Sequence, residues 1–171
     1  GLAIGVAFQS NLRLNDIGYF IPVPLIKRFI QDQRDGHYDG VPEIGIQTSS
    51  LLNRYQRKSL GLSDESGGVL VERIIPRSSA EGILEEGDVL LGVAGKSIDR
   101  AGMVHFGEHR VDFFIEAEHL QVGDSLFFKV WRNRSLLNLQ ITLKPPPFSA
   151  ELRNAYDILP EYQIVGGLVL I

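Results

Sequence analysis

Apolar positions come in short bursts separated by turn residues, a pattern that predicts many small strands and few helices. Gly1-Leu2-Ala3-Ile4-Gly5-Val6-Ala7-Phe8-Gln9 reads as a strand with small residues where another backbone can approach. A turn-rich interval, 10–16, leads to a second short strand, Ile17–Ile21, stopped by Pro22 and Pro24. Pro24 suits the first turn of a helix over Pro24–Gln33, with Leu25, Ile26, Phe29 and Ile30 on one face. Residues 34–40 are a polar, glycine-bearing linker and mark the first boundary.

From Val41 the texture changes to short strands at turn-marked intervals. Strands are predicted over Glu43–Ser49, Gly68–Ile74, Val89–Val93 and Lys96–Ile98, the last two joined at Ala94-Gly95. Ser78-Ser79-Ala80-Glu81-Gly82-Ile83 reads as a one-turn helix with a serine cap, closed at Gly87. Residues 101–110 form a histidine- and glycine-bearing insertion, and Val111–Gln121 is helical by composition. Leu126–Trp131 and Leu136–Leu143 make a hairpin through Arg132-Asn133-Arg134-Ser135. After Pro145-Pro146-Pro147 come a polar stretch and a last apolar strand, Tyr162–Ile171. The chain starts and stops in strand-like sequence, as a segment of something larger would, and both end strands are expected to seek partners.

Composition narrows the function classes. With 171 residues, 44% hydrophobic and 22% charged, the chain has enough apolar mass for a folded core. A net charge of −4 gives no support to a nucleic-acid surface. Without cysteine there is neither a disulfide nor a thiolate metal site. No apolar run approaches the ~20 residues of a membrane-spanning helix, and the first eight residues lack the basic lead-in of a signal peptide.

Two strings invite a catalytic reading. Asp64-Glu65-Ser66-Gly67-Gly68 imitates the Gly-Asp-Ser-Gly-Gly surroundings of a trypsin-like nucleophile. Such a serine needs a histidine base and an orienting acid earlier in the chain, and only His37 precedes it, in the linker. His105-Phe106-Gly107-Glu108-His109 spells H-x-x-E-H, which binds zinc only where both histidines share one face of a stable helix. Gly102 and Gly107 favour a loop there, so an exposed insertion is expected, with no cofactor and no metal.

Four ordered strings carry a family resemblance: Gly68-Val69-Leu70-Val71, Ile75-Pro76-Arg77-Ser78-Ser79-Ala80, Leu84-Glu85-Glu86-Gly87-Asp88-Val89-Leu90 and Gly95-Lys96-Ser97-Ile98. Together they resemble a PDZ domain of the HtrA/DegP serine-protease type, with Ala94 where asparagine is usual. Ile4–Phe8 followed by Ile17–Pro22 is similar to the last strands of the family's trypsin-like domain, and Tyr162–Val169 to the opening strand of a second PDZ, as in the longer branch of the family. The implied fold is mainly β with short helices (α+β): a PDZ-like, partly open barrel or sandwich flanked by strands of a trypsin-like β-barrel domain and of a second PDZ. The implied divisions are 1–33, the end of the protease domain and linker helix; 34–40, linker; 41–147, PDZ; and 148–171, linker and start of a second PDZ.

The resemblance also implies a site. Val41–Thr48 takes the place of the carboxylate-binding loop and groove-edge strand, where an extended peptide adds to an open sheet edge. The amides of Ile44, Gly45 and Ile46 would face the peptide carboxylate, Gln47 and Thr48 would pair with its backbone, and Ile44 and Ile46 would line the pocket for its last side chain. Val111, Phe114 and Ile115 would form the opposite wall, although such a stripe equally marks ordinary core. Ala7, Phe8 and Gln9 would be the strand against which a protease substrate lies, and Tyr19 and Phe20 a wall of its specificity pocket. The implied function is a peptide-binding regulatory module of a serine endopeptidase in protein quality control, inactive alone because no triad can be assembled from these residues. Its partners would be C-terminal or unfolded peptide segments and other subunits of a homo-oligomer, in a bacterial cell envelope or a plant organelle. The alternative is an assembly-only PDZ with an occluded groove.

Overall fold

The computed structural model describes residues 5–10, 18–147 and 163–170. Strands β1 (Gly5–Ser10) and β2 (Gly18–Pro22) pair antiparallel, with a register shift between Ala7 and Gln9. Helix α1 (Val23–Asp32) follows with Pro24 in its first turn, where a missing N–H costs nothing. A 3-10 turn, Gln33–Asp35, ends at Gly36. The 34–40 segment then returns to the helix. Arg28 Nη1 donates to the Gly40 carbonyl (2.9 Å), and the Gly40 amide donates to Asp32 Oδ2 (3.3 Å). Arg28 and Asp32 are both buried, and these bonds offset part of their desolvation.

The central chain supplies β3 (Ile46–Ser50), α2 (Arg54–Ser59), β4 (Val69–Ile74), β5 (Val89–Val93), β6 (Lys96–Ser97), β7 (Met103–Phe106), β8 (His109–Asp112), α3 (Ile115–Glu118), β9 (Ser125–Arg132) and β10 (Ser135–Thr142). The main sheet runs β10-β9-β5-β4-β3, with β6 beside β5, so it stays open and β3 is an edge. Period-2 alternation aims Leu126, Phe128 and Val130 of β9 into one core with Val69, Val71, Leu90 and Val93. Burying each such side chain is worth ~1.5–3 kcal/mol. Asn133 and Arg134 close the β9–β10 hairpin with both φ values positive (50° and 60°), as a right-twisted two-residue turn requires. The Glu85–Asp88 turn is held from across the sheet. Arg132 forks onto both Asp88 oxygens (2.7 Å each) and reaches Glu85 (2.6 Å) and the Ile83 carbonyl (2.9 Å).

Several sequence expectations are corrected. The helix expected over Val111–Gln121 shrinks to α3, and the 101–110 insertion is mostly the β7–β8 hairpin, in which Val111 lies opposite Val104. The Asp112 carboxylate accepts the Phe114 amide (3.0 Å), a local turn that separates strand from helix. Ser78–Ile83 is a turn with no helix assigned, because its serine hydroxyls bond to distant carbonyls and leave the following turn uncapped. The last strand is a hairpin, β11 (Gln163–Val165) and β12 (Leu168–Leu170), turning at Gly166-Gly167 with positive φ at both. The unforeseen α2 begins at Asn53, whose side chain accepts the Tyr55 amide.

Candidate functional site

The site is built from the edge strand and the loop that feeds it. Val71 exchanges hydrogen bonds with Gly87 and Asp88 on the β5 side, so its neighbour Leu70 faces β3, opposite Ser49. Alternation along β3 therefore turns the backbone groups of Ile46, Thr48 and Ser50 to the open edge, while those of Gln47 and Ser49 face β4. The outward backbone groups of β3 are thus those of Ile46, Thr48 and Ser50, while Gln47 bonds toward β4 and exposes its side chain.

Before β3 the chain makes an unusual set of bonds. Ser79 Oγ donates to the Glu43 carbonyl and accepts the Lys144 amide (2.8 Å). The Ala80 amide donates to the Ile44 carbonyl (3.1 Å). The Gly45 carbonyl accepts both the Ile75 amide (2.9 Å) and Ser78 Oγ (3.2 Å). Every described peptide bond is trans, so each carbonyl and the following N–H point opposite ways. Fixing carbonyls 43, 44 and 45 on the Ile75–Ala80 segment turns the amides of Ile44, Gly45 and Ile46 away from it. Such successive N–H groups form an anion-binding concavity. Gly45 makes the bend possible: its φ is +76°, and a Cβ there would stand 2.1 Å from Ser78 Cβ.

The side chains of Ile44 and Ile46 are buried in the core, so what they present to the outside is backbone. On the α3 side, Phe114 and Ile115 are half-buried, and the Phe114 ring stacks on the buried Phe113 at 4.2 Å. Val111 is carried by β8, so it does not share a helical face with them. The β7–β8 hairpin braces this short helix. Glu116 pairs with Lys96 (2.5 Å), the Lys96 ammonium lies 4.8 Å from the Phe106 ring centre, and Phe106 lies 5.4 Å from the His119 ring.

The catalytic lookalikes do not assemble. Ser66 Oγ meets Ser63 Oγ (2.9 Å) in an exposed turn, and His37 Nε2 is 3.5 Å from Asp39. His105 and His109 stand on opposite strands of a hairpin, facing Arg110 and Phe106, and no helix joins them. Among the described residues, no group of three histidine or acidic side chains gathers around a metal position. In the β1–β2 pair, Ala7 lies opposite Phe20 and Gln9 opposite Tyr19. Tyr19 and Phe20 are more than half exposed, and the side chains of Phe8 and Gln9 lie outside the described residues. Sequence reasoning missed Ser78, Ser79 and Ala80 as parts of the site. Their serines read as a local cap, and nothing in the string announces partners 33 and 36 residues away.

No protein-family model matches the chain. It is 29% identical over 170 residues to protease Do-like 4, mitochondrial, of Arabidopsis thaliana, covering 98% of this chain and 32% of that protein. It is 32% identical over 176 residues to protease Do-like 2, chloroplastic, of the same plant, covering 99% and 28%. The chain thus spans about a third of the length of the curated relatives it matches. Among solved structures it is similar to the HtrA-type protease AlgW with decapeptide, at TM-score 0.55 and 23% identity over 84% of this chain and 43% of that one. The tripeptide-bound form gives TM-score 0.55 and 23% identity over 85% and 47%. These likenesses fit a PDZ-like α+β fold.

Proposed function

We propose, from the premise that this chain is homologous to the Do-like (HtrA) proteases along nearly its whole length, that it serves in such a protease as the peptide-capturing module. In this reading residues 41–147 act as a PDZ domain, 1–33 close a trypsin-like domain, 34–40 connect the two, and 148–171 lead into a second PDZ. The parent enzyme is a serine endopeptidase whose triad lies outside this chain. A guest peptide runs antiparallel to β3 and exchanges hydrogen bonds with Ile46, Thr48 and Ser50. Its terminal carboxylate sits against the amides of Ile44, Gly45 and Ile46, and its last apolar side chain turns toward Phe114 and Ile115.

The observation that carries this reading is the conjunction of an open edge strand with three consecutive amides turned outward at its start. The solved HtrA-type proteases with a tripeptide and a decapeptide support it by analogy of fold. The test is a titration with a dye-labelled hexapeptide ending in valine with a free carboxylate. Saturable binding near ~1 µM, about 8 kcal/mol, is expected. No binding up to ~1 mM would sink the capture role.

One observation favours a second role, subunit packing. Val6, Tyr19, Phe20, Phe29 and Ile30 near one end, and Ile164, Val165, Leu168 and Val169 near the other, are roughly half exposed or more. Apolar surface on this scale belongs in an interface. Concentration-dependent oligomerisation together with a peptide-inert groove would favour packing over capture.

A further inference from the structure

The hydroxyls of Ser78 and Ser79 touch no guest in the reading above, yet together with the Ile75 and Ala80 amides they fix the loop's orientation. Both residues are almost wholly buried, 1% and 2% exposed. Neither touches the open side of the loop; each reaches its far side. Ser79 Oγ joins three chain segments, donating to Glu43 O while accepting the Lys144 amide just past β10. The Glu43 amide returns a bond to the Lys144 carbonyl (3.1 Å), which closes a small ring of hydrogen bonds. Ser78 Oγ takes up a lone pair of the Gly45 carbonyl that the Ile75 amide leaves free. Without these hydroxyls, the Glu43–Ile44 peptide plane would lose its donor and the Gly45–Ile46 plane would keep only the Ile75 amide. Their N–H groups could then rock out of convergence or turn inward.

We propose that Ser78 and Ser79 are positioning residues that make the groove selective for a free α-carboxylate. Resting on the capture reading, the inference assigns recognition of the peptide's end to a clamp behind the loop, and recognition of its length to β3. The clamp holds carbonyls 43 and 45 back, so that three N–H dipoles converge on one small anion before any guest arrives. A carboxylate gains from that convergence, because each amide bond to a charged acceptor is stronger than a bond to a neutral one. A C-terminal amide gains little, and it brings N–H donors to a place already lined with donors. The strand-to-strand ladder along β3 uses neither serine, so it is the same for both peptides.

The experiment measures Kd for the labelled hexapeptide as free acid and as C-terminal amide, on the whole chain, for wild type, Ser79→Ala, Ser79→Thr and Ser78→Ala. Trp131 fluorescence reports whether each variant is folded, since the Trp131 indole donates to Leu60 O across the fold. Wild type is expected to prefer the acid by ~10-fold or more, and Ser79→Ala to lose most of that preference, on the usual worth of a hydrogen bond to a polar group. Ser78→Ala is expected to lose a few-fold of it, Ser79→Thr to restore it, and the amide peptide's Kd to stay the same in all. Equal weakening of both peptides, or an unchanged acid-to-amide ratio in a folded Ser79→Ala, overturns the clamp. If wild type binds neither peptide, the capture reading fails and the clamp is judged separately. Ligand-free Ser79→Ala should shift the amide resonances of Ile44 and Gly45, and their staying unchanged overturns the clamp.

Discussion

Replacing Gly45 with alanine probes the loop at its most constrained point. The backbone there has φ +76°, and a Cβ built on it lies 2.1 Å from Ser78 Cβ, 2.6 Å from Ser78 Oγ and 3.4 Å from Ser78 Cα. A side chain in the left-handed region costs ~1–2 kcal/mol. The steric overlap adds ~1–3 kcal/mol, as in other overpacked interiors. Gly45→Ala should therefore lose ~2–5 kcal/mol, a large share of the ~5–15 kcal/mol that holds a domain folded. Removing the obstacle separates the two costs. In a Ser78→Gly background the nearest remaining Ser78-derived atom is the Cα at 3.4 Å, an ordinary contact. There the substitution should cost only the ~1–2 kcal/mol of the backbone, giving a coupling of ~1–3 kcal/mol between the two sites. Urea unfolding followed by the fluorescence of the single tryptophan, Trp131, measures all four proteins. A Gly45→Ala cost within ~0.5 kcal/mol of zero, or one that does not depend on residue 78, would refute the geometry on which the site rests.

Two other substitutions test parts of the fold away from the loop. Ala94 has φ 47° in the β5–β6 turn, so Ala94→Gly or Ala94→Asn should stabilise the protein by ~0.5–1 kcal/mol, and a lowered Tm would contradict this. Burial works to raise the pKa of Asp99, but the amides of Met103 and Ala101 and the Arg110 guanidinium together hold it below the usual carboxylate value. Because the folded-state pKa is depressed, the stability Asp99 contributes is present above about pH 4, its unfolded value, and is lost as pH falls through the native one. Asp99→Asn should flatten that acid limb of the stability curve in pH-dependent urea unfolding, and an unchanged limb would reject the assignment.

The strands were legible where one residue's surroundings decide its fate. Val89–Val93 is almost wholly buried, and its apolar run, bounded by Asp88 and Gly95, is sufficient signal. The 132–135 turn likewise follows from Asn133, which tolerates positive φ, and from alternation on both sides. The reading failed where a polar string hides a buried role. Arg54–Ser59 shows no apolar period, yet Arg57 is buried and donates to the carbonyls of Leu51 (2.6 Å) and Leu52 (2.9 Å), which fastens α2. It also failed where one string suits two structures. Val111 to Gln121 has helical composition, but β-branched Val111 gains more by pairing with the fully buried Val104. At the site, the edge strand was visible within about three residues of its start, while the positive φ of Gly45 emerges only in the folded chain. The bonds from Ser78 and Ser79 were not legible, because a hydroxyl's partner 33 or 36 residues away is a property of the folded chain alone.

Gly40 changes what kind of joint precedes the loop. Both its peptide groups are captured by α1, one by the Arg28 cation and one by the Asp32 anion, and only Val41 and Pro42 intervene before Glu43. Bonds to charged partners are worth ~1.5–3 kcal/mol each, so letting this joint swing freely would cost ~3–6 kcal/mol. A stiff coupling of that strength leaves the helix little slack: a displacement of the Glu43 carbonyl has only two residues over which to dissipate before it strains the grip of Arg28 and Asp32.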